Sequence, residues 1–413
     1  MFRSVSLRNF KSLANVRVDL GPFTVLVGAN GSGKSSFLQA IELFSWAVRH
    51  ESINDSLLNH NVDFRDLVYL RSSKARITFD ADLEFPKEGI ELACERVHVW
   101  MRLAKKRYVY LTEHVRPGDA PPKNVTDWAY GVVSRKRYQR AWEANGPAIE
   151  HRNVALGHSM LGDIYSAEGS RQKFPILRKV ADHFMNYVHY EIWGPEKLRD
   201  PSLHPVSSRR NGARGVRLGK SGEDLPRLLW SIHSVQSRWV TLLDELRIGF
   251  PAIREIRFQK GLDGELGLWF GEKRKGASSF LRYRPSQVSD GFLRLLGLLA
   301  IKHQPYPLEL LGYEEPENGL HPSALDECMR HLKDIARNGT QVIVTTHSPY
   351  LLNYLLEDKA EPKAELRLVI RGEDGKTIIS KPDPAKLKKA RAQGFGIGEL
   401  WGMLLNEKAL AQS

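Results

Sequence analysis

Residues Phe23-Thr24-Val25-Leu26-Val27 run without a break into Gly28-Ala29-Asn30-Gly31-Ser32-Gly33-Lys34-Ser35, which is the complete pattern G-x-x-x-x-G-K-S. A helix-like stretch, Ser36-Phe37-Leu38-Gln39-Ala40-Ile41-Glu42-Leu43-Phe44, follows at once. Strand, glycine loop and helix in this order form the context in which the pattern holds phosphate. Gly28, Gly31 and Gly33 let the chain curl, so that N–H groups from Asn30 and Ser32 through Ser36 surround phosphate oxygens. The helix N-terminus adds its partial positive charge. Lys34 is expected to reach the β- and γ-phosphates, and the Ser35 hydroxyl to ligate Mg²⁺. The loop therefore predicts a nucleoside triphosphate site with Mg²⁺ as its metal.

The 413 residues are enough for two or three domains, and 42% of them are hydrophobic, enough to fill real cores. Met1-Phe2-Arg3-Ser4 opens an alternating strand pattern rather than an apolar leader. The longest apolar run, residues 295–301, falls far short of a membrane span. Cys94 and Cys328 lie far apart without Cys-x-x-Cys spacing, so neither a disulfide framework nor a zinc site is indicated. A soluble, cytoplasmic protein without a membrane partner is expected. The formal net charge of +13 and the isoelectric point near 9.6 invite a polyanionic partner, nucleic acid first.

Residues 4–8 and 16–20 alternate as two short strands around the turn Asn9-Phe10-Lys11-Ser12. Alternation returns at 76–85 and again from 90 to about 111, which predicts a hairpin or meander. From about 113 to 220 Pro, Gly and Arg are frequent and Trp128, Trp142 and Trp193 are scattered, the mark of an inserted, partly helical lobe. The tail of that lobe carries Arg209, Arg210, Arg214, Arg217 and Lys220 with no acid among them, punctuated by Gly212, Gly215 and Gly219. It reads as a mobile basic loop and the candidate DNA phosphate contact. Asp224-Leu225-Pro226 then opens one helix that runs through Trp230 and Trp239 to Leu246, followed by strand-like segments at 253–258 and 266–270. The expected division is 1–112, 113–222 and 223–413.

The last third holds the remaining chemistry. Ser289 and Asp290 can cap the apolar helix that begins there, and Gly291 permits close approach of a ligand. The strand-like run 308–313 ends in Glu314-Glu315-Pro316-Glu317-Asn318. Two acids at the end of an apolar strand need a cation or strong donors. Alternation turns them in different directions, one toward a metal and the other toward an attacking water. The β-rich run 341–346 ends in His347-Ser348-Pro349, placing a histidine at a strand's C-terminal end, where α/β sheets bind ligands.

Jointly these features resemble the ABC-type ATPase superfamily, in the branch that holds the SMC and RecF proteins and the bacterial OLD-like ATPases. The resemblance covers the first 50 or so residues and roughly 285–405. It implies an α/β fold: an ABC-type P-loop NTPase head with a mixed central sheet, an antiparallel β lobe and an inserted, partly helical lobe. Asn9, Phe10, Lys11 and Ser12 look like the family's turn beside the nucleotide, and Gly28 to Ser35 is its Walker A loop. Ser289-Asp290-Gly291 stands where the signature motif belongs. Glu314-Glu315-Pro316 matches Walker B with its catalytic acid, Glu317-Asn318-Gly319-Leu320-His321 the D-loop, and Thr346-His347-Ser348 the switch histidine. Gly398-Glu399-Leu400-Trp401 is similar to the same group. The resemblance implies that two heads sandwich two ATP molecules, Ser289 and Gly291 of one completing the γ-phosphate site of the other. Glu315 would be the general base, Glu314 and Ser35 the Mg²⁺ holders, and His347 the γ-phosphate sensor. The sequence departs from the family in two places. No glutamine stands near Asp63-Phe64-Arg65-Asp66, where the Q-loop is expected, and Glu rather than Asp leads the acid pair.

Ser289 lies about 250 residues beyond Ser35, farther than in a transporter head, and 113–250 is too short and too broken for a coiled-coil arm. A Toprim nuclease needs a glutamate and a later Asp-x-Asp pair; the 66 residues after His347 carry no such pair, so no nuclease is expected here. The leading expectation is an ATPase acting as an ATP-driven dimerisation switch, a homodimer or higher oligomer. It would control a separately encoded effector or DNA engagement, and the resemblance points to bacterial phage defence. The alternative is a DNA-binding repair clamp of RecF type.

Overall fold

The computed structural model describes residues 1–49, 53–71, 76–85, 96–105, 109–117, 130–135, 138–143, 149–152, 159–166, 169, 174–191, 196–201, 216–261, 264–273, 279–306, 308–357 and 360–383. The chain divides into two compact units, Met1–Tyr187 with Ala364–Ser413, and Val188–Lys363.

In the first unit β1 (Phe2–Phe10) and β2 (Leu13–Asp19) form the predicted antiparallel pair, with Leu7 opposite Val16. Alternation decides their faces: Val5, Leu7, Val16 and Val18 are buried, whereas Arg17 and Asp19 are exposed. β3 (Phe23–Val27) is buried along its whole length, as a strand covered on both faces must be. β4 (Arg76–Glu84), β5 (Arg96–Lys105) and β6 (Val109–Pro117) extend the first pair into an antiparallel sheet of order β2-β1-β4-β5-β6. The hairpin read from alternation is β5 and β6. The stretch expected to be partly helical holds helices Met160–Ser166 and Pro175–Met185. It also holds an unforeseen antiparallel sheet, β7 (Tyr130–Arg135), β8 (Tyr138–Glu143) and β9 (Ile149–Arg152), whose strands are too short for alternation to announce them. Trp128 and Trp193 lie outside the described residues.

The second unit places β10 (Tyr187–Tyr190) beside β14 (Leu310–Glu314), which runs parallel to β15 (Gln341–Thr346). Between them in sequence, β11 (Ile253–Lys260), β12 (Leu266–Glu272) and β13 (Leu281–Tyr283) make a separate antiparallel sheet. The helix expected from 224 to 246 is two helices, Leu225–His233 and Gln236–Gly249. Ser234 N closes the last i−4 bond, to the Trp230 carbonyl at 3.2 Å, and its Oγ donates to the Ser231 carbonyl at 2.7 Å; Val235 beyond it is extended, its N–H turned to the Ile232 carbonyl at 2.9 Å. The break brings the His233 and Trp239 rings edge to face at 5.0 Å, a packing gain that a straight helix would forgo.

β16 (Glu365–Arg371) and β17 (Thr377–Ser380) return to the first unit, β16 parallel to β3 and antiparallel to β17. They close tightly on the glycine loop. A Cβ on Gly28 would stand 2.2 Å from the Val369 carbonyl oxygen, and one on Gly33 would stand 2.2 Å from Thr377 Oγ1. Gly33 and Gly31 also adopt φ of +111° and +76°, although an added Cβ on Gly31 would meet nothing within 4 Å. Gly28→Ala should therefore cost about 1–3 kcal/mol through overpacking, and Gly31→Ala only about 1 kcal/mol through its backbone angle. Thermal melts of the two variants check this ordering, and equal losses would refute the close approach.

The cores set an acid limit. Burial holds His183 at about 3 against its ordinary 6.5, aided by the chain's N-terminal ammonium. Burial, then Lys302 and Arg330, hold His331 at about 4. A folded-state pKa below the unfolded one gives stability that is complete above about pH 6.5 and is lost as pH falls through the interval. By pH 5 each histidine withdraws about 2 kcal/mol. Unfolding free energies should fall from pH 7 to pH 5, and more shallowly in His183→Asn; an unchanged slope in that variant would remove His183 from the account.

Candidate nucleotide site

Lys34 opens the helix Lys34–Arg49 and is 4% exposed. Its Nζ donates to the Gly28 carbonyl at 2.9 Å and to the Ala29 carbonyl at 3.1 Å. Neutral carbonyls are weaker partners for an ammonium than phosphate oxygens, so the loop holds its cation where a polyphosphate could take it over. The Ser32 hydroxyl is buried and, among the described residues, has no hydrogen-bond partner, a donor that a phosphate would satisfy. Ala29, Asn30 and Gly31 are exposed, while Ser35 and Ser36 are half-buried in the helix's first turn, where N–H groups precede the intrahelical ladder. A cradle that admits no Cβ at Gly28 or Gly33, an orphaned hydroxyl and a folded-back lysine together fit a nucleoside triphosphate.

The loop rests on a residue that motif reading missed. Thr377 Oγ1 lies 2.8 Å from the Ser32 carbonyl and 2.7 Å from Ser12 Oγ, and Thr377 N donates to the Ser12 carbonyl at 2.9 Å. The turn at 9–12 is thus pinned to the phosphate loop through β17. Asn9 and Lys11 take left-handed φ of 60° and 46°. Asn9 Nδ2 donates to the Arg76 carbonyl at 3.1 Å, and Lys11 Nζ donates to Gln39 Oε1 at 2.6 Å. Phe10 lies in the core at 1% exposure. Near the expected Q-loop, Asp63 caps the helix Phe64–Leu67 by accepting from Arg65 N at 2.8 Å.

In the second unit the acid pair sits at the end of β14, with Glu314 4% and Glu315 7% exposed. Glu314 Oε1 lies 2.6 Å from His189 Nε2, a partner the sequence did not announce. Glu315 leaves the strand at a φ of 42°, its N–H donating to the Thr345 carbonyl at 2.9 Å. The two carboxylates accordingly meet different partners. Asn318 Nδ2 donates to Glu315 Oε2 at 2.9 Å. His347 Nδ1 stands 3.4 Å from Glu315 Oε1 and 3.3 Å from Glu317 Oε1, with 40% of its side chain exposed. Glu317 Oε1 accepts from Thr346 Oγ1 at 2.6 Å and from His347 N at 2.9 Å, so the D-loop acid ties down the end of β15. Beside it, burial and the Glu317 charge push the Cys328 thiol up to about 12, which makes it an inert core residue.

Ser289 caps the helix Asp290–His303, its Oγ accepting from Phe292 N at 3.3 Å. Ser289 and Asp290 are exposed, and Asp290 Oδ1 pairs with Arg199 at 2.7 Å. Among the described residues, a Cβ on Gly291 would approach no atom closer than 3.5 Å, so their packing does not demand glycine there.

Of the basic run, Arg209, Arg210 and Arg214 lie outside the described residues, as do Gly398 to Trp401. Arg217 is half-buried, and Lys220 Nζ is 3.0 Å from Glu191 Oε2, an acid too distant in sequence to be weighed with the run. Glu245, His331 and Asp334 also gather ligand atoms. The Lys302 ammonium already lies among them, 2.8 Å from both Glu245 Oε1 and Asp334 Oδ2. Burial raises the Glu245 carboxyl, yet His303 and Lys302 outweigh it and hold that group at about 2. Among the described residues no helix is long and apolar enough to cross a membrane.

A family model described as an AAA ATPase domain matches residues 1–184, and one described as an AAA domain matches 270–353. The OLD nuclease of Thermus scotoductus is 42% identical over 423 aligned positions, covering all of this chain and 70% of that protein. The DNA replication and repair protein RecF of Heliobacterium modesticaldum is 23% identical, over 83% of this chain and 91% of that one. A solved SMC head, bound to the C-winged helix domain of ScpA, shares the fold with a TM-score of 0.52 at 14% identity, covering 94% of this chain and 99% of that chain. The ABC-type α/β head expected from the motifs is thus the fold, and the chain belongs to the SMC/RecF/OLD-like ATPases, on the OLD side of that family.

Proposed function

We propose that this ATPase is a switch in which ATP joins two copies of the chain and hydrolysis separates them. Lys34 and the loop N–H groups bind the triphosphate. Bound Mg²⁺ would neutralise the β- and γ-phosphate oxygens, and Ser35 and Glu314 are hard oxygen donors suited to hold it. Glu315 takes the proton of the attacking water, its carboxylate held by Asn318, and the water oxygen bonds to the γ-phosphorus while the bond from that phosphorus to the bridging oxygen breaks. His347, partly exposed beside that carboxylate, reports the γ-phosphate. Exposed Ser289 and unconstrained Gly291 carry the reading: a glycine that its own chain does not require suits a surface reserved for the nucleotide of a second copy. The switch would act on a separately encoded effector, with phage defence as the setting and DNA as a further partner. A RecF-type clamp is the weaker reading, since the two RecF matches are 23% and 30% identical against 42% for the OLD nuclease.

Lys34→Ala should weaken binding of a fluorescent ATP analogue about 10-fold or more, the loss of one charge-assisted contact. Glu315→Gln should bind the analogue normally, hydrolyse ATP about 100-fold more slowly, and elute as a dimer in ATP. Normal turnover by Glu315→Gln would displace it as the base, and a monomer in ATP would remove the switch. Gly291→Ala should leave the melting temperature undiminished while weakening ATP-dependent dimer formation; dimerisation at wild-type strength would take the signature surface out of the interface.

A further inference from the structure

The register of β10 against β14 sets two residue pairs side by side. The Tyr190 and Tyr313 rings stand 6.5 Å apart, and His189 Nε2 stands 2.6 Å from Glu314 Oε1. Neighbouring residues of a strand face opposite ways, so the tyrosines share one face of the sheet and the histidine and glutamate share the other. The side chains of His189 and Glu314 are 0% and 1% exposed. A carboxylate so thoroughly removed from water requires a strong donor close by. An imidazole carrying a proton on Nε2 is such a donor, and at this distance its hydrogen bond is short and well defined.

The pair also answers a problem of length. Where the resembling family has aspartate, this chain has glutamate, with one more rotatable bond between backbone and carboxylate. That bond adds rotamers, and each added rotamer spreads the carboxylate over more positions. A rigid ring, itself buried in a strand, selects one of them. The backbone of β14 cannot do this, because it fixes only the direction in which the side chain starts.

We propose that His189 is a positioning residue for the metal side of the nucleotide site: it fixes the Glu314 carboxylate by holding Oε1, and so lets a glutamate do the work of a shorter acid. The proposal rests on the reading of Glu314 as the acid that serves Mg²⁺. Groups that orient a metal-holding side chain in this way typically change metal affinity 10–100-fold when removed. They need not touch the nucleotide, so its metal-free binding, which depends on Lys34 and the glycine loop, is separable from the effect.

The test uses the full chain and a fluorescent ATP analogue, titrated once in EDTA and once with increasing Mg²⁺. His189→Phe keeps a buried ring and removes the donor, whereas His189→Gln offers an amide N–H at comparable reach. His189→Phe should bind the analogue in EDTA as the wild type does and need about 10-fold more Mg²⁺ for its half-maximal metal-dependent signal. His189→Gln should recover most of that difference. On a Glu314→Gln background, His189→Phe should add nothing further, because the two act as one unit. An unchanged Mg²⁺ requirement in a folded His189→Phe, or a full additional loss in the double variant, would overturn the positioning role. So would equal damage to binding in EDTA, which marks a merely structural histidine. If the wild type itself shows no Mg²⁺-dependent binding, the reading of Glu314 falls and this proposal with it. Should His189→Phe not fold, His189→Asn, an amide too short to reach Glu314, makes the same comparison against His189→Gln.

Discussion

Two carboxylates buried side by side at the end of β14 are the constraint around which the second unit is organised. Each would be expelled from the interior unless donors met it, and the chain supplies those donors from different directions. Glu314 is met by His189 from β10. Glu315 is turned out of the strand by its left-handed backbone and met by Asn318 and, through space, by His347. A non-glycine residue held at positive φ stores strain, and such strain persists only where the surroundings over-determine it. Here the Thr345 carbonyl and the turn through Asn318 do so. The same geometry gives the two acids different surroundings.

The phosphate loop follows a complementary logic. There the chain removes side chains rather than adding partners: Gly28 and Gly33 vanish into contacts with β16 and β17. What is left is a surface of backbone, one lysine turned in on carbonyls and one unsatisfied hydroxyl. Binding a polyanion at such a place costs little reorganisation, because the loop's shape is enforced by packing before any ligand arrives.

Much of this was legible in the residues. The phosphate loop, the acid pair, the cap at Ser289 and the histidine after β15 are local patterns, in which spacing along the chain and spacing in space nearly coincide. Strand alternation likewise located β1, β2, β4, β5 and β6. What escaped was everything that pairing brings from afar. His189 meets Glu314 across 125 residues, and Thr377 meets Ser32 across 345. Neither lies in a motif, and their importance comes wholly from strand neighbours. The break between the helices at Ser234 and Val235 escaped for another reason: aromatic packing around Trp239 overrode a continuous helical pattern.

The Thr377 bridge sets a timetable for the chain. The glycine loop is held by a threonine 345 residues further along the chain. Contacts of such long sequence separation form late, because the intervening chain must first be confined. Without β16 and β17, residues 28–35 would lack the packing at Gly28 and Gly33 and the Thr377 bond that define their curl. The shape of the nucleotide loop is therefore a property of the assembled first unit and not of residues 28–35 alone.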